Sequence, residues 1–313
     1  MRQAETMRAV FAVLVAAHVL AAQSPEQRAV DYLARETPRW SRENKCFSCH
    51  NNGDAARALY VASRLGYKVP KEALADTTEW LARPAGWDSN RGDPAASDKR
   101  LARIQFSAAL VEATADARIA VDSQALRQAA ESLLPFQETD GSWPVDVAVI
   151  GSPTTYGTAL ATYMARRTLE TAYNDRFSEA MSKATLWFLR SRPKSILDQA
   201  AVVLALATLE PIAQRCVELL LSAQLNDGGW GPYPQVSAEP FDTAVAMLAL
   251  QKFDDANRTG KAIARGRTFL TERQQESGGW PATTRPAGAQ SYAQHISTSA
   301  WATLALILTD PKR

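Results

Sequence analysis

The sequence predicts an all-α fold in which six helical hairpins stand side by side in a ring. Three observations lead to this prediction: a spacing motif that recurs along the chain, helices that alternate between amphipathic and almost wholly apolar, and a scarcity of strand signals. The repetition is the strongest of the three, because a repeated unit that cannot bury its own apolar surface must stack against its neighbours.

The recurring motif is a glutamine, three residues, a glycine, one small residue and a tryptophan. It occurs three times, each time with a leucine four residues before the glutamine: Gln137-Gly141-Trp143, Gln224-Gly228-Trp230 and Gln274-Gly278-Trp280. Glycine suits the turn after a helix because it reaches left-handed backbone angles freely. Tryptophan can pin the turn onto a neighbouring unit, and glutamine can bond backbone groups at the helix end. We therefore interpret the motif as structural.

The helix before each turn is amphipathic, and the helix after it is almost wholly apolar. Charged and apolar positions alternate faces in residues 215–220, whereas residues 242–250 and 297–308 are mostly small or apolar on all sides. A helix that is apolar all round requires burial on all sides. Each hairpin is therefore expected to pair one half-exposed outer helix with one buried inner helix.

The same alternation defines six hairpins. The first four are predicted to pair outer and inner helices at 26–36 and 54–65, 71–82 and 102–113, 123–137 and 156–167, and 177–190 and 198–209, and the last two flank Trp230 and Trp280. The fourth turn, Ser191-Arg192-Pro193-Lys194, has no Gly or Trp. A closed ring is favoured over an open solenoid, because the inner helices have no polar face for solvent.

The first 22 residues are predicted to be a secretory signal peptide rather than part of the fold. Arg2 and Arg8 precede an apolar run over residues 9–20, and small residues follow that suit cleavage near Ala22. The run is too short to be a stable membrane anchor, and no later segment resembles a membrane span. We expect residues 23–313 to form a single domain, periplasmic or secreted.

The charge balance argues against a nucleic-acid partner. The chain has 35 basic and 33 acidic side chains, and the basic residues are dispersed along the sequence. Proteins that bind nucleic acid concentrate positive charge on one face. The hydrophobic share of 46% instead suits one large core.

The glutamine–glycine–tryptophan units resemble those of the squalene–hopene cyclase and protein prenyltransferase superfamily. The similarity extends over essentially the whole chain after residue 22. This resemblance implies an (α/α)6 toroid with a central cavity, and it makes a hydrophobic small molecule a possible partner. The full bacterial cyclases of the superfamily contain two such barrels, whereas this chain has room for one.

Family cyclases protonate a polyprene with the central acid of an Asp-x-Asp-Asp-Thr-Ala motif. The matching segment here is Glu-Pro-Phe-Asp-Thr-Ala at residues 239–244, in which Phe241 occupies the position of the acid. Because a phenyl ring cannot donate a proton, we expect that the protein does not cyclise squalene by protonation. A terpenoid enzyme would need another acid, and Asp242 and Asp198 are the candidates. Asp242 could instead cap the helix that it begins.

Protein prenyltransferases hold zinc with an Asp-x-Cys pair and a histidine. His295 resembles that histidine in position, but the Asp-x-Cys pair is absent, because Cys216 stands alone on an outer helix. Prenyltransferase activity is therefore not expected. We interpret Cys216 as a small buried hydrophobe.

The segment Cys46-Phe47-Ser48-Cys49-His50 matches the C-x-x-C-H pattern of c-type haem attachment, and it falls in the first hairpin. The thiols of Cys46 and Cys49 could form thioethers to the two haem vinyl groups, and His50 would face the iron. A zinc site is the main alternative, and a local disulfide or an unused pair is the third interpretation. A thioredoxin-like dithiol is the least favoured, because no βαβ pattern surrounds the segment.

Closure of the ring would bring the first and sixth hairpins together, and with them His50 and His295. Both are predicted in turns between an outer and an inner helix, and they are the only histidines after residue 22. His295 is thus the candidate for a second axial ligand on a haem iron. The same convergence would also complete a zinc site with Cys46 and Cys49, so it does not select the metal. The alternative interpretation of His295 is an ordinary polar residue at a helix start.

These patterns together predict an exported toroid that carries one haem c and acts with a redox partner or a hydrophobic ligand. Three alternatives stay open: a terpenoid cyclase-like enzyme with a non-standard acid, a zinc-binding toroid, and an interaction scaffold without a cofactor. The sequence leaves open whether the chain is an enzyme.

Overall fold

The computed structural model describes residues 23–90, 99–145, 157–206, 210–253, 255–283 and 290–312. The predicted signal peptide lies outside these ranges, so the expected cleavage near Ala22 stays a prediction. Within the described ranges, no helix is both long enough and apolar enough to span a membrane.

The helices alternate along the chain between an outer and an inner position. The outer helices in the described ranges are α1 (Pro25–Asn44), α3 (Ala75–Leu81), α5 (Ser123–Leu133), α7 (Ser178–Arg190), α9 (Pro211–Ala223) and α11 (Ala256–Arg273). The inner helices there are α2 (Ala56–Arg64), α4 (Lys99–Thr114), α6 (Thr158–Ala172), α8 (Ile196–Ala205), α10 (Pro240–Lys252) and α12 (Tyr292–Leu308). Each outer helix and the inner helix that follows it form one hairpin.

The inner helices form a closed ring. Each one packs on the next, and α12 packs in turn on α2 and α1. Bonds between the two ends of the chain reinforce this closure: the Tyr67 hydroxyl donates to Asp310 Oδ2 at 2.9 Å, and Arg267 pairs with Glu26. The predicted (α/α)6 toroid of six helical hairpins is therefore confirmed, and it is closed.

The glutamine of the repeated motif ties each hairpin to the next. Its amide nitrogen donates to the glycine carbonyl of its own turn and to a carbonyl on the following outer helix. The second acceptors are Ala180 for Gln137, Ala262 for Gln224 and Pro25 for Gln274, at 2.8, 2.8 and 2.9 Å. The bond to Pro25 joins the sixth hairpin to the first and so helps to close the ring.

The glycine of the motif is required by both backbone angle and space. Gly141, Gly228 and Gly278 have φ values of 100°, 89° and 98°, in the left-handed region where a Cβ is disfavoured. A Cβ on Gly278 would also stand 2.4 Å from the carbonyl oxygen of Arg28 on α1. The turn therefore lies directly against the backbone of the neighbouring outer helix.

The tryptophan of the motif joins the two helices of its own hairpin. The indole nitrogens donate to the carbonyl of the leucine that precedes each motif, at 2.8, 2.7 and 2.7 Å. The backbone nitrogen of each tryptophan bonds to a Thr or Ser hydroxyl on the inner helix. The Trp230 ring also packs on the next hairpin, as predicted: a Cβ at Gly266 would stand 3.0 Å from its indole.

The first and the sixth inner helices begin furthest ahead of the start that the sequence predicted. The first begins at Cys49 rather than Asp54, in a π-helical segment, Cys49–Ala55, that continues into α2. The sixth begins at Tyr292 rather than residue 297, because Ser291 and Gln294 form a capping box. His295 therefore lies within α12 and not in the turn before it.

The interpretation of Asp242 as a helix cap is wrong. The helix α10 begins at Pro240, with Glu239 at the N-cap, so Asp242 lies in the first turn, beyond the cap. Proline favours this start because its fixed φ suits the first helical position and its missing N–H is not needed there. The position of Asp242 in α10 leaves it completely buried.

The inner helices also carry buried charged groups, although they were expected to have no polar face. Glu112 on α4 receives hydrogen bonds from Arg64 at 2.9 Å and from Arg167 at 2.6 Å. Burial alone would raise the pKa of Glu112, but the charges of Arg167 and Arg57 outweigh burial and hold the pKa below its ordinary value. This stabilisation is complete above the ordinary carboxyl pKa and is lost as the pH falls through the lowered one.

We expect Glu112→Gln to lower the free energy of unfolding by about 2 kcal/mol at neutral pH, because two arginines lose their counter-charge. The cost should be moderate because the two guanidinium side chains are 36% and 30% exposed. The difference in free energy of unfolding between the unmodified chain and the variant should shrink in acid, where Glu112 itself becomes neutral. Urea unfolding at pH 7 and pH 3 measures both effects. Glu131→Gln, which removes an exposed pair with Arg176, is the control. An effect no larger than the control, or one that persists in acid, would refute this account of Glu112.

Candidate functional site

The C-x-x-C-H segment lies at the mouth of the ring, the end at which each outer helix turns into its inner helix. Cys46 lies in the turn, whereas Cys49 and His50 open the π-helical segment. The Ser48 hydroxyl caps this segment by accepting a hydrogen bond from the Asn51 backbone at 3.1 Å. Because π-helical turns are rare and recur at functional sites, this start of the first inner helix is a candidate site.

Two asparagine side chains fix the backbone of the segment. Asn90 accepts from the Phe47 nitrogen at 3.0 Å and donates to the Phe47 carbonyl at 2.5 Å. Asn52 accepts from the Ser48 nitrogen at 2.9 Å and donates to the Thr77 hydroxyl at 2.9 Å. The positions of both thiols and of the imidazole are thus set by bonds to the second hairpin.

A third asparagine connects the segment to the sixth hairpin. Asn51 Nδ2 donates to the Glu36 carbonyl at 2.7 Å and to the Tyr292 hydroxyl at 2.9 Å. The Tyr292 hydroxyl in turn donates to the Glu36 carboxylate at 2.7 Å. Closure of the ring therefore completes the surroundings of the C-x-x-C-H segment.

His50 is buried between two aromatic side chains. Its ring lies edge-on to Trp40 and Tyr292, with centroid distances of 5.2 and 5.7 Å, and these two rings stack on each other. Burial lowers the pKa of His50 to about 3, so the imidazole is neutral at neutral pH, the form that ligates metals. Its Nδ1 lies 3.9 Å from Cys49 Sγ, and its Nε2 has no hydrogen-bond partner among the described residues.

Cys46, Cys49 and Cys216 form no disulfide in this structure. Cys46 is buried, and its sulfur accepts the indole N–H of Trp40 at 3.4 Å. Cys49 is only partly buried. Cys216 is buried within α9, and burial raises the pKa of its thiol to about 11. Cys216 therefore behaves as the small hydrophobe that the sequence predicted.

His295 lies one helical turn beyond Tyr292, the residue whose ring contacts His50. Its own ring lies edge-on to Tyr32 at 5.8 Å, and burial lowers its pKa. The described residues contain no group of three or more His, Cys, Asp or Glu side chains placed to hold a metal ion. The four side chains predicted for a zinc site are thus not gathered in this structure.

The two acids proposed from the sequence occupy different environments. Asp198 completes a capping box at the start of α8, where its carboxylate accepts from the Ser195 nitrogen at 3.2 Å. Asp242 is completely buried in the first turn of α10. Phe241 beside it is also fully buried, with its ring 5.8 Å from that of Trp301. A capping role accounts for Asp198, whereas Asp242 lies within the ring of inner helices.

Asp54 is a buried acid at the site that the motifs of the sequence did not mark. Asp54 is only 1% exposed, and its Oδ2 accepts from Gln105 Nε2 at 2.6 Å. Burial raises the pKa of Asp54 to about 6, and Ser297, Arg57, Gln105 and Trp301 offset only part of that rise. The sequence did offer one sign of this buried acid: Asp54 is the first residue of the predicted inner helix 54–65, which was expected to be buried.

Fold and site together define a toroid of six helical hairpins with a C-x-x-C-H segment at its mouth. A solved structure shares the fold: a variant of the type II terpene cyclase MstE from Scytonema, in complex with its substrate geranylgeranyl dihydroxybenzoate. The TM-score is 0.54 at 14% identity, and the match covers 92% of this chain and 99% of that one. At this identity the likeness shows the fold alone.

A curated relative adds a short sequence match. Drimenyl diphosphate synthase from Streptomyces showdoensis is 36% identical over 76 residues, which are 24% of this chain. The match spans only 14% of that enzyme's length. No family model matches the chain. The squalene cyclase-like toroid is thus supported by fold and by a short stretch of sequence.

Proposed function

We propose that this chain is an exported toroid protein that carries one covalent c-type haem on residues 46–50. Its role would be electron transfer or the binding of a hydrophobic ligand. The observation that carries the proposal is the combination of two cysteines that form no disulfide with a buried imidazole whose Nε2 has no hydrogen-bond partner among the described residues. A buried polar atom without a partner is costly, and a bond to a metal would satisfy it.

The residues present fit the chemistry of haem attachment. Cys46 and Cys49 supply the two thiols for thioether bonds, and His50 supplies a neutral imidazole for the iron. A bound haem would supply one-electron redox chemistry. The chain itself holds the segment rigid through Asn52 and Asn90, and it keeps water away from His50 by burial.

Export of the full chain in a host with haem-attachment machinery tests this proposal. After denaturing electrophoresis, we expect haem-dependent peroxidase staining at the position of the chain, because thioether bonds survive denaturation. A folded, exported chain without such staining would overturn the proposal.

His295 stays the candidate for the second axial ligand, since it follows Tyr292 by one turn of α12. We expect His295→Ala to convert a low-spin absorption spectrum to a high-spin one without loss of covalent haem, because only the axial bond is removed. Tyr32→Phe is the matched control, because it keeps the ring that contacts His295. An unchanged low-spin spectrum with full haem content would exclude His295 as a ligand.

A second candidate function is enzymatic action on a terpenoid or other prenyl-type substrate. It is supported by the fold shared with a type II terpene cyclase and by the short match to drimenyl diphosphate synthase. Phe241 at the expected acid position means that such an enzyme needs another proton donor. Incubation of the full chain with geranylgeranyl dihydroxybenzoate, followed by product analysis, tests this candidate separately from the haem.

A further inference from the structure

We propose that a cleft beside the fourth turn binds a small aromatic anion, in which a carboxylate or phosphate is joined to a flat apolar body. The cleft lies between the third and fourth hairpins, whereas the C-x-x-C-H segment lies in the first. The inference therefore depends neither on the haem nor on a prenyl-type substrate.

The cleft opens at the mouth end of the ring and has a volume of about 490 Å³. Among the described residues, its walls are the turn of the third hairpin at 139–140, the start of α6, one face of α7, the fourth turn at 191–193 and the first two turns of α8. Pockets for small ligands typically enclose about 300–1,000 Å³. The cleft is thus large enough for a molecule with one aromatic ring and one charged group.

The cleft borders a turn that lacks the repeated motif. The motif tryptophans Trp143, Trp230 and Trp280 have no exposed surface, and each joins the two helices of its own hairpin. The fourth turn has no such residue, and Trp187 on α7 instead lines the cleft and stays partly exposed. Its ring lies edge-on to the buried Phe188, with the centroids 5.0 Å apart. A partly exposed indole held in this way is a stacking platform for an aromatic ring.

The basic side chains of the cleft can bind an acidic group. Arg190 and Arg192 line the cleft, and neither guanidinium forms an ion pair or a hydrogen bond with a described residue. Lys183 also lines it and pairs with Glu179 at 2.7 Å, but these side chains are 46% and 81% exposed, so their pair contributes little. Two arginines and one lysine therefore have donors available for a carboxylate or a phosphate.

The two acidic side chains of the cleft are engaged by their own turns. Asp140 accepts hydrogen bonds from the backbone nitrogen and the hydroxyl of Ser142, at 2.9 and 2.8 Å. Asp198 accepts from the Ser195 nitrogen at 3.2 Å in its capping box. Three basic and two acidic side chains line the cleft, which gives a formal charge of 3 − 2 = +1. The cleft thus favours an anion over a cation.

The apolar side chains of the cleft indicate the body of the ligand. Leu186, which is 45% exposed, and the buried Val202 line the cleft together with Trp187. An uncharged apolar molecule would shield the two arginines from water without giving them a partner, which is costly. An inorganic anion would leave the indole and the leucine uncovered. A molecule that joins an aromatic ring to an acidic group satisfies both parts of the cleft.

Titration calorimetry of the full chain with phenyl phosphate and with benzoate tests the inference. We expect at least one of these probes to bind saturably at one site, with a dissociation constant below about 1 mM. Inorganic phosphate and benzyl alcohol each lack one half of the proposed ligand, and each should bind at least about 10-fold more weakly. Added salt should weaken the binding of the charged probe, because it screens the basic side chains.

Three variants test the assigned side chains. Arg190→Gln and Arg192→Gln should each weaken binding by about 10-fold, because each removes charge-assisted hydrogen bonds. Trp187→Ala should weaken the binding of the aromatic probe by about 3- to 10-fold and leave that of inorganic phosphate unchanged, because only stacking is lost. Arg215→Gln is the matched control, since Arg215 is an exposed arginine on α9 that does not line the cleft.

Hydrogen exchange of the unmodified chain locates the site without any variant. Bound phenyl phosphate or benzoate should slow exchange in residues 183–202 and leave residues 46–55 unaffected. Four results would overturn the inference: no saturable binding of either probe, equal binding of benzyl alcohol or inorganic phosphate, an equal loss in Arg215→Gln, or protection that excludes residues 183–202.

Discussion

Alanine at both Cys46 and Cys49 should abolish covalent haem while the toroid stays folded. Without thiols no thioether can form, so the denatured chain should carry no haem stain. The structural cost should be small, because the hydrogen bonds that the two sulfur atoms make are weak: the Trp40 indole donates to Cys46 at 3.4 Å, and Cys49 Sγ lies 3.9 Å from His50 Nδ1. Haem staining and thermal unfolding by circular dichroism measure the two effects.

Cys216→Ala is the matched control for the double variant. Cys216 is a buried free thiol on α9, outside the C-x-x-C-H segment, and it should be dispensable for attachment. Full haem content in the double variant, or equal loss in Cys216→Ala, would show that haem is not attached through residues 46–50.

Trp280→Ala should lower the free energy of unfolding by about 3–5 kcal/mol, the range for deleting a large buried aromatic side chain. Trp280 has no exposed surface, and its indole donates to the Leu270 carbonyl at 2.7 Å. The substitution leaves both a cavity and a buried acceptor without its donor. The loss of stability should be greatest between the sixth and first hairpins, because the Gly278 turn packs on α1. Urea unfolding and hydrogen exchange of α1 and α12 measure the loss.

Trp187→Ala is the control for that prediction. Trp187 lies on α7, in the hairpin whose turn lacks the motif, and it is only partly buried. Its replacement should cost about 1 kcal/mol, and it should not raise exchange in α1 or α12. Comparable losses in the two variants would mean that the motif tryptophan has no special part in closing the ring.

The ring was predictable because its geometry depends on short-range patterns that repeat. The spacing of Gln274, Gly278 and Trp280 fixes a turn, and the bond from Gln274 to Pro25 closes the ring in the same way that the other glutamines join adjacent hairpins.

Helix starts were less predictable. The early start of α12 depends on the capping box of Ser291 and Gln294, which the apolar pattern does not show.

The site was only partly predictable from the sequence. The C-x-x-C-H spacing marked Cys46, Cys49 and His50, but the aromatic enclosure of His50 depends on Tyr292, which is distant in the chain. Asp54 was missed for the same reason. Its raised pKa arises from burial among residues of three inner helices, and its place at the start of a predicted inner helix does not show which residues enclose it.

The visible absorption spectrum of the full chain, exported and matured with haem-attachment machinery, tests the central proposal most directly. We expect a strong Soret band, and we expect a sharp α band after reduction with dithionite, both absent from the double alanine variant. A folded chain with no absorption in the visible region after such maturation would contradict the proposal that residues 46–50 carry a covalent haem.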